Sequence, residues 1–310
     1  MSVYTSVSQA QLESFIEQYS IGKLISHQGI AAGITNSNYW LETESASYVL
    51  TLFEHQERRN LDYILGLQHH LAQENIACAT PIRDRYGNYY SILNHRPAVI
   101  IERLNGEVCT QPGTHHCALM GSELARLHLA GRSFTGEHDN PCGAEWRQAM
   151  QKELLQSLNR SDNQLLDEEI RAYQPLNRLE LPKGAIHADL FHDNALFDDQ
   201  QLIGIIDFEY ACHDFWLYDL AIAINDWCIV DSGELDQNRL HRFIEAYEQV
   251  RPLLNIERES LPLMLRAAAT RFWLSRLYDQ INPLAGELTY TKDPNIYRDI
   301  LLMRREPCSI

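Results

Sequence analysis

The chain is short of positive charge: 26 Lys and Arg stand against 42 Asp and Glu, a formal charge of -16 over 310 residues. A surface of that sign repels phosphate backbones, which excludes a general nucleic-acid binder. Cysteine is sparse and poorly spaced for structural work. The seven cysteines are odd in number and never form a C-x-x-C pair, which argues against a disulfide framework or zinc knuckle and fits a reducing compartment. No run approaches the roughly 20 apolar residues of a membrane span. The first 22 residues have no basic stretch followed by an apolar core, so a cytoplasmic protein without membrane contact is expected. Internal repeats and low-complexity tracts are missing, as are the patterns G-x-G-x-x-G, H-E-x-x-H and G-x-S-x-G. Gly22-Lys23 is followed by Leu and lacks the earlier glycine of a phosphate-binding P-loop.

What is present is enough apolar material, 45% of residues, to bury a core in each of two lobes. Leu12, Phe15, Ile16 and Tyr19 recur at helical spacing behind Ser8, a good N-cap, and Gly22 is the expected stop. Three short strands follow at about residues 24–30, 38–43 and 47–53, then a helix from Arg58 to Glu74 and two further strands in YYSILN and PAVIIERL. At Asn105-Gly106 the composition turns helical, so the lobe boundary is placed there, with residues 1–104 on one side and 105–310 on the other. In the second lobe helices are expected over 116–130, in one long piece from about Ala144, and over 215–229, 236–250 and 260–280. A strand is expected in LIGIIDFE.

The polar chemistry is concentrated in IHADLFHDNALF. It holds H-x-D-x-x-x-x-N as His187, Asp189 and Asn194, and thirteen residues further on Asp207 lies in the apolar strand GIIDFEY. Transfer of a phosphoryl group from ATP needs a carboxylate to orient the acceptor hydroxyl and oxygen ligands for the Mg2+ that bridges the phosphates. Asp189 suits the first role, and Asn194 with Asp207 the second, because Mg2+ is a hard cation that favours oxygen. His187 is then an orienting residue, and His192 has no role. A rival is a metal phosphohydrolase, which would need His187 and His192 as ligands and leaves Asn194 and Asp207 unexplained. His128 reads as a packed helix histidine. The run Phe208, Tyr210, Phe215, Trp216 and Tyr218 reads as core.

The segments GITNSNYWLE, YVLTLFE, ELARLHLA, HADLFHDNALFD, GIIDFEYACHDFWLYDLAIAINDWC and RFWLSRL resemble the aminoglycoside phosphotransferase superfamily from the first sheet to the last long helix. Within it the chain looks most like the bacterial homoserine kinases. The resemblance implies an α+β, two-lobed, protein-kinase-like fold with a small antiparallel-sheet N-lobe and a mainly helical C-lobe. It implies Asp189 as catalytic base, ATP and Mg2+ as cofactors, and L-homoserine as small-molecule substrate, placing the chain in threonine biosynthesis. The turn Gly33, Thr35, Asn36, Ser37 and Asn38 would cover the nucleotide, Glu102 to Leu104 would offer backbone groups to adenine, and Asp219 would brace the helix that follows it. Two positions depart from the family pattern. Thr51 stands on the third strand where relatives carry a cation, leaving Arg58 and Arg59 as substitutes and keeping open a fold that only binds nucleotide. Ala188 stands where many have Gly, acceptable if its backbone angles are ordinary. An amino-acid acceptor needs a cation for its carboxylate and an acid for its ammonium, which Arg271 or Arg276 with Asp226 would supply. Choline, ethanolamine, methylthioribose, an aminoglycoside or a protein serine are the competing acceptors.

Overall fold

In the computed structural model, which describes residues 4–30, 36–54, 58–282 and 292–306, the first helix, α1 (Gln9–Ile16), starts on a capping box. The Gln11 N–H donates to Ser8 Oγ, and the Ser8 N–H donates to Gln11 Oε1 at 2.9 Å. Such a cap is worth about 1 kcal/mol. Leu12, Phe15 and Ile16 form its buried face. The helix closes at Glu17, ahead of Gly22, which takes a left-handed φ of 78° in the turn into the first strand.

The described residues fall into two compact units, one running up to Asn105 and one from Gly106 onward. In the first, β1 (Leu24–Gly29), β2 (Ser37–Thr43), β3 (Ser47–Leu52), β4 (Ser91–Leu93) and β5 (Arg96–Glu102) form an antiparallel sheet in the order β1-β2-β3-β5-β4. Alternate residues of β2 and β3, among them Tyr39, Leu41, Leu50 and Leu52, pack with α1 into one core. Helix α2 (Arg58–Gln73) lays Leu61 and Leu65 against Val99 in a second core. The run Ala98-Val99-Ile100 of β5 is apolar without alternation because Ala98 and Ile100 belong to the first core and Val99 to the second.

The second unit is mainly helical. Helices α3 (Thr114–Ala130), α6 (Trp216–Trp227), α7 (Gln237–Val250) and α8 (Asn255–Ile281) make its body, and α9 (Pro294–Arg305) lies along α8. Gly121 lets α3 approach α7 closely: a Cβ there would stand 2.2 Å from the Phe243 carbonyl oxygen. The expected long helix from Ala144 is two, α4 (Ala144–Leu154) and α5 (Arg160–Tyr173). The break is local chemistry, since Asn159 Oδ1 accepts the Asp162 N–H at 2.9 Å and starts α5 as an N-cap. Helix α9 and the short strands β6 (Glu107–Val108) and β10 (Cys212–Phe215) were not expected from the sequence. Strand β10 pairs antiparallel with β7 (Lys183–Ile186), and β6 with β8 (Ala195–Asp198), which pairs with β9 (Gln201–Ile205). These short ladders frame the loop that carries His187 to Asn194. Among the described residues no helix is long and apolar enough to cross a membrane. The six described cysteines are free and buried.

Candidate active site

The loop leaves β7 at His187 and is gripped from below by Asp219, in the first turn of α6. The carboxylate of Asp219 accepts the His187 N–H at 2.9 Å and the Ala188 N–H at 2.7 Å. Both N–H groups turn toward the one carboxylate, and Ala188 has φ 62°. Its angles are therefore not ordinary, and the glycine of relatives at this place acquires a steric reason. Asp219 also accepts a bond from His128 Nε2 at 3.1 Å. Burial opposes its charge, but the His128 bond, the neighbouring imidazoles and the backbone donors together hold its carboxyl below the usual range.

His187 is fully buried, and burial pushes its imidazole toward the neutral form. Its Nδ1 accepts the Asp189 N–H at 3.2 Å, and its Nε2 donates to the Ile206 carbonyl at 3.0 Å. The ring thus ties the loop to the end of β9. His192 is held too: its N–H and its Nδ1 both bond Asp226 Oδ2, at 2.6 and 2.7 Å. Of the two rings that a metal phosphohydrolase would use as ligands, that of His187 has both nitrogens committed to the backbone. Among the described residues no group of three His, Cys, Asp or Glu side chains is arranged to hold a metal.

Asp189 is held at both oxygens. Arg271 NH1 stands 3.3 Å from Oδ1, and Asn194 Nδ2 donates to the Asp189 carbonyl at 2.8 Å and approaches Oδ2 at 3.3 Å. Loss of solvation raises the Asp189 carboxyl, opposed by Arg271, His187 and Lys292. The amide nitrogen of Asn194 faces Asp189, so its oxygen is the end left for a cation. The Asn194 carbonyl accepts the Ile206 N–H at 3.0 Å, which brings Asp207 beside it. Asp207 is an exposed residue and also has a left-handed φ of 62°. Loss of solvation, then repulsion from Glu209, Asp189 and Asp193, pushes its carboxyl up to about 7. Residues in strained backbone cluster where surrounding structure forces them.

Arg271 does not project toward an open space. Its guanidinium is enclosed over the rings of Tyr210 and Phe272, at 4.5 and 3.8 Å, and is paired with Asp189. Arg276 stacks on Tyr297 at 4.4 Å and among the described residues has no carboxylate partner. Burial pulls its pKa down, while Asp226, Asp189 and Asp193 pull it up from nearby. Three residues of this neighbourhood were not singled out from sequence. Glu209 and Asp193 sit inside the quoted motifs and were legible as extra acids; Lys292, 3.1 Å from Asp193, is 99 residues away and carries no local signal. Trp227 Nε1 donates to the Leu190 carbonyl at 3.0 Å and steadies the loop from behind.

In the first unit the expected nucleotide turn is partly outside the described residues, Gly33 and Thr35 included, as are the side chains of Arg58 and Arg59. Ser37 is buried, its hydroxyl donating to Glu54 Oε1 at 2.7 Å and accepting the Tyr4 and Thr5 N–H groups. Asn36 Oδ1 accepts the Glu54 N–H at 3.3 Å. Asn38 Oδ1 accepts the Thr51 hydroxyl at 2.7 Å, so the residue in the place of the strand-three cation is tied across the sheet. Arg96 neutralises Glu54 at 3.1 Å. The Glu102 N–H is taken by the Thr80 carbonyl at 2.9 Å, and Leu104 is half-exposed.

A five-stranded antiparallel unit followed by a mainly helical one with this loop defines the class: a two-lobed, protein-kinase-like α+β fold. Residues 26–253 match the Phosphotransferase enzyme family, and the chain belongs to it. The homoserine kinase of Methylobacillus flagellatus is 44% identical over 301 residues, covering 97% of this chain and 94% of that one. The homoserine kinase of Neisseria meningitidis serogroup B is 44% identical over 303 residues, covering 97% and 99%. Among solved structures, the amicoumacin kinase hAmiN in complex with AMP-PNP, Ca2+ and Ami superposes with a TM-score of 0.73 at 16% identity, over 97% of this chain and 93% of that one. At that identity the likeness is one of fold alone.

The left-handed Ala188 generates a test. Such backbone costs a non-glycine residue about 1 kcal/mol or more, and glycine's greater freedom in the unfolded chain costs about 0.4–1 kcal/mol. Ala188→Gly should therefore leave Tm unchanged or raise it, where glycine at an ordinary alanine position lowers it. A clear fall in thermal unfolding would contradict the strain.

Proposed function

We propose that this protein transfers the γ-phosphoryl group of ATP to the side-chain hydroxyl of L-homoserine, giving O-phospho-L-homoserine and ADP for threonine biosynthesis. The likeness to homoserine kinases at 44% identity over 97% of the chain carries the reading, and the two-sided hold on the Asp189 carboxylate supports it. Asp189 orients the acceptor hydroxyl and accepts its proton as the new O–P bond forms and the bond from the γ-phosphorus to ADP breaks. Arg271 and Asn194 keep that carboxylate from turning. Most of the rate enhancement is then positioning and preorganised charge.

The donor set near Asp189 fits Mg2+. It consists of oxygens only, the Asn194 amide and the Asp207 carboxylate, and the mutual repulsion of Asp207, Glu209, Asp189 and Asp193 calls for a cation. When bound, the ion supplies charge neutralisation on the phosphates. In the first unit residues 33–38 would cover the nucleotide chiefly through backbone groups, since the Asn36, Ser37 and Asn38 side chains are bonded within the unit. The Glu102 carbonyl and the Leu104 backbone would meet adenine. For the acceptor, Arg276 is better suited than Arg271 to take the α-carboxylate, because it has no carboxylate partner among the described residues and Arg271 already has one. Asp226, with one oxygen on His192, would use the other for the ammonium group.

Four acceptors in a coupled ATP-consumption assay test the substrate: homoserine should be turned over, and choline, methylthioribose and an aminoglycoside should not. Transfer to one of the others with none to homoserine would overturn the acceptor and leave the family standing. Asp189→Ala should lower kcat on the order of 100-fold or more with nucleotide binding kept; near-normal turnover would remove Asp189 from the chemistry. Arg276→Met should raise KM for homoserine roughly 10- to 100-fold, the worth of a charge-assisted hydrogen bond, with KM for ATP unmoved. An unchanged homoserine KM would place the carboxylate elsewhere.

The pH dependence of metal activation has a definite sign. Asp207 binds a cation only when ionised, and its raised carboxyl is increasingly protonated as pH falls below about 7. The half-activating Mg2+ concentration should therefore climb by up to about tenfold per pH unit below that point and level off above it. A requirement that ignores pH between about 6 and 8 would separate Asp207 from the metal.

A further inference from the structure

Behind Asp219 lies a chain of buried polar groups that the reaction itself does not use. His128 Nε2 bonds Asp219 Oδ2 at 3.1 Å, and His128 Nδ1 bonds the Tyr247 hydroxyl at 2.8 Å. Arg251 NH1 donates to the same hydroxyl at 3.1 Å, and Arg251 NH2 reaches both oxygens of Glu257 at 2.8 Å. Asp219, His128, Tyr247 and Glu257 have no exposure, and Arg251 is 7% exposed. The Trp216 indole supports two members: His128 stacks on it nearly parallel, 5.7 Å between centroids, and the Arg251 guanidinium lies 4.7 Å from it.

The donors and acceptors of this chain can be arranged in one direction only. An ionised carboxylate has no proton to give, so His128 must carry its proton on Nε2 to bond Asp219. Burial favours the neutral ring, so its Nδ1 is then a lone pair, and the Tyr247 hydroxyl must donate to it. That hydroxyl is free to donate because an arginine, which can only donate, already occupies its oxygen. Arg251 in turn is neutralised and oriented by Glu257. The direction runs from Arg251 through Tyr247 and His128 to Asp219, and ends on the two N–H groups that hold Ala188 in left-handed backbone. With the opposite tautomer the His128 ring would turn a lone pair toward the carboxylate, and the strained turn would lose one of the partners that keep Asp219 charged and still.

We propose that Tyr247 and Arg251 are positioning residues for the catalytic loop: they lock His128 in its Nε2-protonated tautomer and thereby hold the Asp219 carboxylate beneath His187 and Ala188. The proposal rests on the reading of Asp189 as the catalytic carboxylate, and Asp189 is the residue immediately after the turn so held. Neither Tyr247 nor Arg251 approaches the reacting groups. Their influence is carried by proton placement, over a path of four hydrogen-bonded side chains.

The test combines kinetics with 15N NMR of the histidine rings in the full chain, His128 being assigned by loss of its signals in His128→Gln. The parent should show His128 as a single Nε2–H tautomer. Tyr247→Phe keeps the ring and removes only the hydroxyl; it should lower kcat about tenfold, the scale of a small misplacement at the reacting centre, with both KM values kept and the single-tautomer signature lost. Loss of folded protein alone would lower kcat without touching the tautomer of the molecules that remain folded. Because breaking a buried ion pair at one partner is strongly destabilising, the second variant removes both charges, Arg251→Met with Glu257→Gln, and should move kcat and tautomer in the same direction. An Nδ1–H tautomer in the parent overturns the proposal, as does kcat within twofold of the parent in folded Tyr247→Phe. Asp189→Ala measured alongside keeps the two ideas apart: an active Asp189→Ala enzyme removes the catalytic reading, whereas an inactive one beside a normal Tyr247→Phe enzyme removes only the positioning role.

Discussion

A carboxylate sealed from water and saturated with donors, that of Asp219, is what the second unit is organised around. An ionised group in that position is tolerable only if nearly every lone pair is used, and its partners come from α3 and from the loop after β7. This demand explains several choices at once. Helix α6 is buried along almost its whole length, because it must carry Asp219 beneath the loop. Gly184 in β7 leaves room for the Trp216 ring, which a Cβ would approach to 2.5 Å. The loop inherits its shape from the anion below it, and Asp189 and Asn194 inherit their places from the loop.

The negative charge of the sequence is in part gathered into one place. Asp189, Asp193, Asp207 and Glu209 converge within electrostatic range of one another, with Arg271 paired to Asp189 and Lys292 to Asp193. Such a cluster is unfavourable by itself and becomes favourable when a polyvalent cation is present. On the third strand, where the family resemblance implied a cation, Thr51 carries a hydroxyl bonded to Asn38.

Features written in local spacing were legible. The faces of α1, α2 and α3, the strands of the first sheet and the H-x-D-x-x-x-x-N loop each depend on residues within a few turns of one another, and the chain folds as those patterns require. The break between α4 and α5 was legible in principle, since Asn159 is a good N-cap, but the surrounding apolar spacing masked it. What escaped was written across long separations. Arg271 meets Asp189 over 82 residues, His192 meets Asp226 over 34, and Lys292 meets Asp193 over 99. Sequence could nominate Arg271, Arg276 and Asp226 as charges but not pair them. His128 is the sharpest case: reading it as packed was correct as to burial, yet burial here comes with two hydrogen bonds that only the fold supplies.

Trp227 carries a last consequence. Its indole N–H bonds the carbonyl of Leu190, one residue from Asp189, while its ring packs edge-on to His192 at 6.4 Å and against Phe197 at 6.1 Å. Indole emission follows the polarity and hydrogen bonding around the ring, and this ring meets the loop at Leu190 and His192. A fluorophore native to the chain thus sits against the loop that carries Asp189, so that a displacement of Leu190 or His192 alters the surroundings of this indole.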